Sequence, residues 1–394
     1  MRDDGFGVVS QLDAVRAVPG DLLRDLLAPW SVECAELELD LSALGDEDLA
    51  PGLARLVAGG RSALPRGLVD ALDRIEDLAD EPGFDTLIRR LEATTGTTDW
   101  PARGLSPLSL AARAWVEHRE AFEEAEIKRR SDRSGFVHEY MVAANDEPRV
   151  PSADELAALE ERLGAYWQRR GRGGFCRMKA FREEQRLYLP IHRGDPWRTE
   201  PAVEGDSEAA VTYRPRTADL AAYDLRSGRL ILKARDRSAR NEYLAQIGEA
   251  LFGDAAAVDR RPTVTLRPLV ELGREALLPT PGLRDVELVA LRVALNGRHR
   301  VVLSVTCADV LGALDGLGLD ELDRGELLYA KLLLRFQQGR RRKLELGPPH
   351  QVAFDRRKNE HIVLRFLEER GFLLGAETAP AAPSPTTPQL GLWG

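Results

Sequence analysis

The chain holds 394 residues, 43% of them hydrophobic and 30% charged, with a formal net charge of −9. That length exceeds what one hydrophobic core usually organises and predicts two or three globular domains. Its three cysteines, Cys34, Cys176 and Cys307, lie far apart without a Cys-x-x-Cys or a Cys/His cluster, which argues against a disulfide framework, a zinc finger or a resident metal. The longest apolar runs, such as that around Leu332–Leu334, fall short of the roughly 20 residues of a membrane helix. Met1-Arg2-Asp3-Asp4 lacks the charge pattern of a signal peptide, so a cytoplasmic protein without membrane contact is expected.

Charge is unevenly distributed. Residues 1–126 carry 26 acidic residues against 12 arginines, leaving 43 basic and 38 acidic residues in 127–394. Over 1–130 leucines recur at three- and four-residue spacing, as in Gly67–Ala79 and Phe84–Leu91, between Pro19, Pro51, Pro65, Pro82 and Pro101. This pattern predicts an acidic, mainly helical domain that binds a protein partner. Within it Glu36–Leu41 alternates as a half-buried strand would, and Leu108–Arg130 reads as one long helix.

The polar stretch 131–150 reads as a linker. Ser152-Ala153-Asp154-Glu155 is a capping box opening a helix that ends at Gly171. Short β-branched and aromatic runs follow at Phe175–Phe181, Arg186–His192, Ala209–Tyr213, Ala218–Asp224 and Arg229–Ala234, and a helix over Ala239–Phe252 closes an α+β domain spanning 151–262. A second α+β domain, 263–375, is expected from strands at Thr263–Val270, Val286–Leu295, Arg300–Val305, Leu327–Phe336 and Lys343–Leu346, with helices near Ala308–Leu317 and Arg357–Glu369. Short connections favour antiparallel pairing, so the predicted fold class is α+β. From Ala376 the composition collapses to Ala, Pro, Ser and Thr, which predicts a disordered linker over 376–394.

That linker ends in Gln389-Leu390-Gly391-Leu392-Trp393-Gly394, and large apolar residues on a mobile tether ask for a partner. Gln389, Leu390, Leu392 and Trp393 resemble the bacterial sliding-clamp-binding peptide, of the form Gln-Leu-x-Leu-Phe, with tryptophan in the phenylalanine position. The resemblance implies that the leucines and the aromatic ring fill a cleft on the clamp while the glutamine amide bonds at a second pocket. The same residues also suit docking on the chain's own surface or on another partner.

The hairpin Asp224–Lys233 resembles the core of a PD-(D/E)xK nuclease, in which an Asp and an acid-x-Lys hold Mg²⁺ and a water. Ile231 stands where the second acid belongs, and its loss removes an oxygen ligand the metal needs. An ordinary hairpin, or a degenerate nuclease domain kept for binding, fits as well. Two basic clusters have the chemistry for phosphate: Arg169, Arg170, Arg172, Arg177, Lys179, Arg182 and Arg186, and then Arg340, Arg341, Arg342, Lys343, Arg356, Arg357 and Lys358. Solvated loops are the plain alternative for both. Glu117, Glu120, Glu123, Glu124 and Glu126 read as a solvated helix face, and the six histidines form no visible catalytic pairing. With no Walker A, Rossmann or Gly-x-Ser-x-Gly motif, three expectations stand: a non-motor DNA replication, repair or genome-defence accessory protein tethered to the clamp, without cofactor; a Mg²⁺-dependent nuclease or degenerate nuclease subunit of an anti-phage system; or an interaction scaffold without DNA contact.

Overall fold

The computed structural model describes residues 18–59, 64–97, 105–132, 135–143, 147–204, 207–295, 301–316, 325–339, 341–357 and 359–374. The fold is α+β, and the chain divides into two compact units between Ser131 and Asp132. The tail residues Gln389, Leu390, Leu392 and Trp393, together with Arg340 and Lys358, lie outside the described residues.

The first unit is helical: α1 (Gly20–Leu27), α2 (Ser31–Glu36), α3 (Asp46–Gly59), α4 (Arg66–Asp77), α5 (Glu81–Thr95), α6 (Pro107–Glu117) and α7 (Arg119–Asp132). Leu22, Leu23, Leu26 and Leu27 of α1 share a core with Leu68 and Ile75 of α4, Leu87 and Leu91 of α5 and Phe122 of α7. The helix starts follow their caps: Asp80 accepts from the Gly83 N–H at 2.8 Å, and Ser106 from that of Ser109 at 3.1 Å.

Three expectations fail here for physical reasons. Glu36–Leu41 is not a strand, because Glu38 takes φ +62° and the chain turns so that the Leu39 N–H reaches the Cys34 carbonyl at 2.9 Å. The alternating leucines are nonetheless real core residues, with Leu39 and Leu41 buried. The long helix over Leu108–Arg130 is two, broken at His118, and the break is bridged by Trp115 and Phe122 in edge-to-face contact at 5.1 Å. The glutamate run is a solvated face only in part: Glu117 and Glu120 are exposed, but Glu124 is buried against Arg90, and Glu126 is buried against Arg74 at 2.5 Å and Arg130 at 2.5 Å.

The second unit is organised by a 12-stranded sheet in which every pairing is antiparallel, ordered β11-β10-β12-β13-β14-β1-β8-β7-β4-β2 with β3 on β4 and β9 on β1. Its strands are β1 (Val137–Val142), β2 (Cys176–Met178), β3 (Phe181–Glu183), β4 (Arg186–Gly194), β7 (Arg216–Asp224), β8 (Arg229–Lys233), β9 (Val258–Asp259), β10 (Leu283–Leu295), β11 (Val302–Thr306), β12 (Gly325–Phe336), β13 (Arg341–Gly347) and β14 (Gln351–Ala353). A separate two-stranded ribbon pairs β5 (Arg198–Glu204) with β6 (Ser207–Tyr213). The helices are α8 (Ala153–Arg169), α9 (Arg237–Phe252), α10 (Arg267–Glu271), α11 (Val310–Gly316) and α12 (Glu360–Glu369). The capping box of Ser152 and Glu155 opens α8, as the sequence predicts.

The sheet supports two cores on opposite faces. Leu159, Leu163 and Trp167 of α8 and Tyr243, Leu244 and Ile247 of α9 pack on the face of Tyr140, Leu230 and Leu232. Val363, Phe366 and Leu367 of α12 pack with Leu344, Leu346 and Val352, and Val352 is registered on Val137, which alternation sets on the other face of β1. Strands from both sides of residue 262 belong to this one sheet.

β1 crosses the stretch 131–150 that the sequence presents as a linker. It lies between β14 and β8, so both of its edges are paired, and burial of five of its six residues shows that both faces are covered, so its apolar residues need not alternate. Its Glu139 is 1% exposed and meets Arg356 at 2.5 Å. Arg356 in turn reaches Glu360 at 2.6 Å, Glu360 reaches Arg186 at 2.7 Å, and Arg186 reaches Asp224 at 3.3 Å. Two further corrections concern neighbours of this frame. Phe175–Phe181 is divided between β2 and β3. Thr263–Val270 contributes only a single bridge, Val264 to Leu373, before Pro268, which cannot donate to a ladder, opens α10.

Replacing Glu139 by leucine leaves buried Arg356 with Glu360 alone and buried Arg229 with Glu368 alone, with an expected cost of about 3–5 kcal/mol. The double variant E139L/R356M is expected to cost less than the sum of its single variants by about 1–3 kcal/mol. Urea denaturation followed by circular dichroism measures all four corners of this cycle, and additive costs would remove the pair from its role.

Candidate nucleic-acid interface

At one end of the sheet the start of β1, the end of β8, the start of β7, the end of β4 and the start of β14 surround a concave basin of about 940 Å³. Six cations line it, Arg172, Arg193, Arg198, Lys233, Arg235 and Arg240, against three carboxylates, Asp195, Asp219 and Asp236. The basin is therefore positive in a chain of negative net charge.

The floor is buried. The Arg193 guanidinium donates to Asp219 at 2.7 Å and lies over the Trp167 ring, 4.3 Å from its centroid, while the Tyr243 hydroxyl donates to the same carboxylate at 2.8 Å. Burial, and then the Asp219 charge, push the Tyr243 phenol far up, so it stays a hydrogen-bond donor. Arg172 joins the wall because the loop around it packs tightly: a Cβ on Gly194 would stand 2.4 Å from the Arg172 carbonyl oxygen. Its guanidinium bridges Asp236 at 2.8 Å and Asp195 at 3.4 Å. Asp236 also caps α9, and its bonds from the Ser238 hydroxyl and from the N–H groups of Ser238 and Ala239 hold its carboxyl below the usual range. Arg240 turns inward to the carbonyls of Ala234 at 2.9 Å and Arg235 at 2.8 Å, leaving its charge unneutralised by any carboxylate within that set of contacts. The three carboxylates thus clamp the arginine framework, and an excess of positive charge faces the concavity. Such a site attracts phosphate and other oxyanions.

Beside Arg240, His138 contacts Gln351 at 3.1 Å, and the His350 ring tilts against Tyr140 at 4.4 Å. Burial, followed by the charge of Arg240 and by His350, pushes His138 down to about 4. Burial likewise takes His350 down to about 4.

The first basic cluster is drawn out along the sheet edge. Arg172 enters the basin, and Arg170 reaches the neighbouring Ser238 hydroxyl at 2.8 Å. Arg169 is exposed at the end of α8, Arg177 pairs with Glu160 at 3.2 Å on β2, and Lys179 and Arg182 follow toward the far end. Arg186 belongs to the internal ion network. In the second cluster Arg341 meets Glu287 at 2.9 Å, Arg342 lies 3.9 Å from Asp355, Lys343 is exposed, and Arg357 meets Asp355 at 2.7 Å. Arg356 is 4% exposed between Glu139 and Glu360 and is not placed to meet a ligand. β13 runs parallel to β1 through β14, so Arg341–Lys343 overhang the same end of the sheet as the basin.

The nuclease-like hairpin forms, with Asp224 opposite Arg229 and Leu220 opposite Lys233. This register sets Asp224 and Lys233 at opposite ends of the strand pair, roughly 13 Å apart along it. Asp224 accepts from the N–H groups of Arg226 at 3.0 Å and Ser227 at 3.1 Å, which makes it a turn cap, while Lys233 lines the basin. Among the described residues no group of three or more His, Cys, Asp or Glu side chains gathers as metal ligands do, and no helix is long and apolar enough to cross a membrane.

Sequence reasoning missed Arg193 on β4, Arg198 on β5, Asp219 on β7, Arg235 in the connection after β8 and Arg240 on α9. The available signal was the run Lys233-Ala-Arg235-Asp236-Arg237, a cluster of cations between a strand and a capped helix. No protein-family model matches the chain, and no curated protein matches it significantly.

The two buried imidazoles make the fold acid-sensitive in a defined window. In the unfolded chain they take up protons near 6.5, in the folded chain only near 4. The unfolded state therefore binds more protons as pH falls through this interval, and stability present above it is lost progressively. The urea midpoint is expected to fall between those pH values, and the double variant H138F/H350F to show a flatter dependence; an identical slope would assign the acid sensitivity to other groups.

Proposed function

We propose that this chain is a non-motor accessory protein of DNA replication, repair or genome defence, holding DNA by its phosphates over the basin of the second unit and tethered to the bacterial sliding clamp by Gln389–Trp393. The observation that carries the DNA part is the basin itself, six cations against three carboxylates in a chain of net charge −9. Such local excess is the electrostatic footprint of a phosphate site. Exposed Lys343 at the same end of the sheet extends that positive surface beyond the basin.

The tether rests on the resemblance of Gln389, Leu390, Leu392 and Trp393 to the clamp-binding peptide, which follows a segment rich in proline. Two weak contacts carried on one chain reinforce each other through effective concentration, so neither needs high affinity. The acidic first unit engages a protein partner and limits indiscriminate DNA binding by repulsion. The chain works in the cytoplasm, where clamp and DNA are found, and needs no cofactor for this role.

Fluorescence anisotropy with labelled oligonucleotides tests the DNA part. The full chain is expected to bind with an affinity that falls steeply between about 50 and about 200 mM salt, and the variant R198Q/K233Q/R235Q to bind at least about tenfold more weakly with a shallower salt slope. Absence of binding at the lower salt would overturn the DNA reading and leave a protein scaffold. Calorimetry with a purified bacterial sliding clamp tests the tether: micromolar binding is expected, lost in Trp393→Ala with the thermal midpoint unchanged. A W393A chain that still binds the clamp would remove the peptide from this role.

A further inference from the structure

We infer that the nucleic acid taken by this site is single-stranded, its phosphates over the basin and a base stacked on Trp197; this rests on reading the basin as a phosphate site. The β5–β6 ribbon leaves the main sheet at the basin rim. Arg198, the first residue of β5, lines the basin, and Thr217, just beyond the return of β6, lines it from the other side.

At this root Trp197 is 62% exposed. Its ring is held rather than hidden: the Arg214 guanidinium lies 4.8 Å from the ring centroid and donates to the Gly171 carbonyl at 3.1 Å, so the stack is anchored to the loop that carries Arg172. Gly173, at φ +77°, lets the loop pass close beneath the same guanidinium, since a Cβ there would come within 2.7 Å of it. A second aromatic ring, Phe136, is 44% exposed in the basin lining.

Exposed rings beside a cationic concavity are what unpaired strands require, because each base offers a π face while the backbone follows the charge. A duplex keeps those faces inside its stack and can use the cations alone. The basin also falls within the roughly 300–1,000 Å³ of a small-ligand site. Beyond its root the ribbon carries Glu200 and Glu208, which repel a second phosphate strand laid alongside it.

The test compares a labelled oligothymidylate with a duplex of equal length on the full chain at low salt. The single strand is expected to bind about tenfold or more tightly than the duplex, and Trp197→Ala to weaken single-strand binding by about 5- to 100-fold while leaving its salt slope and the duplex affinity unchanged. Trp197→Phe, which keeps a ring, is expected to retain most of the affinity. Because a misfolded variant would lose both ligands together, unchanged duplex binding identifies the loss as one of stacking. Equal affinity for duplex and single strand, or a W197A chain with undiminished single-strand binding, would overturn this inference while leaving the phosphate site intact. Failure of the unmodified chain to bind either nucleic acid would instead overturn the phosphate reading on which it rests.

Discussion

The second unit depends on a carboxylate that has no access to water. Glu139 sits in the middle of the sheet on β1, and its charge is tolerable there because Arg356 meets it at 2.5 Å and Arg229 lies 3.8 Å away. Arg356 comes from the segment after β14 and binds Glu360 on α12, which binds Arg186 on β4, which binds Asp224 at the end of β7. Charges alternate along this path, so every interior ion has an opposite neighbour. The network ties together elements from the two ends of the second unit's sequence, and it does so at the strand where the two cores change faces.

That change of face sets where a ligand can approach. Helices α8 and α9 cover one face of the sheet beside β1, and α12 covers the other. Neither set closes the strand ends at which β1 begins and β8 finishes, and the basin lies there. The basin's rigidity follows from the same elements. Trp167 on α8 and Tyr243 on α9 are core residues that also hold Arg193 and Asp219, so the floor of the site and the core of the fold share side chains.

Much of the fold is legible in the sequence wherever a single face is buried. The hairpin closed by Arg226-Ser227-Gly228, the capping box before α8, the helix ended by Gly253 and the long strands β10 and β12 all show their period or their punctuation plainly. Legibility fails where both faces are covered or where polar residues are internal. β1 reads as a polar linker because His138 and Glu139 are interior, and Glu124 and Glu126 read as solvent-facing because their arginine partners come from other helices. In Glu36–Leu41 the apolar spacing does report burial, and only the positive φ at Glu38 distinguishes a turn from a strand. β5 contains Pro201 and charged side chains and packs on no core, so it carries no burial pattern to read.

The site was less legible than the fold because a sheet collects residues by strand end and not by sequence proximity. A strand advances about 3.3 Å per residue, so the arginines between Arg169 and Arg186 that look concentrated in the sequence are spread along an edge. The basin gathers Arg193 from β4, Arg198 from β5 and Lys233 from β8, with Arg172 and Arg235 from connections and Arg240 from α9, and no local window contains all six. Composition obscures them further, since the same residue type serves two purposes. Arg186, Arg229 and Arg356 neutralise interior carboxylates, whereas Arg198, 3.5 Å from the half-buried Asp195, and Arg235 stand at the rim of a concavity. The guanidinium's planar fork and weak hydration suit both tasks, and only burial and partnership tell them apart.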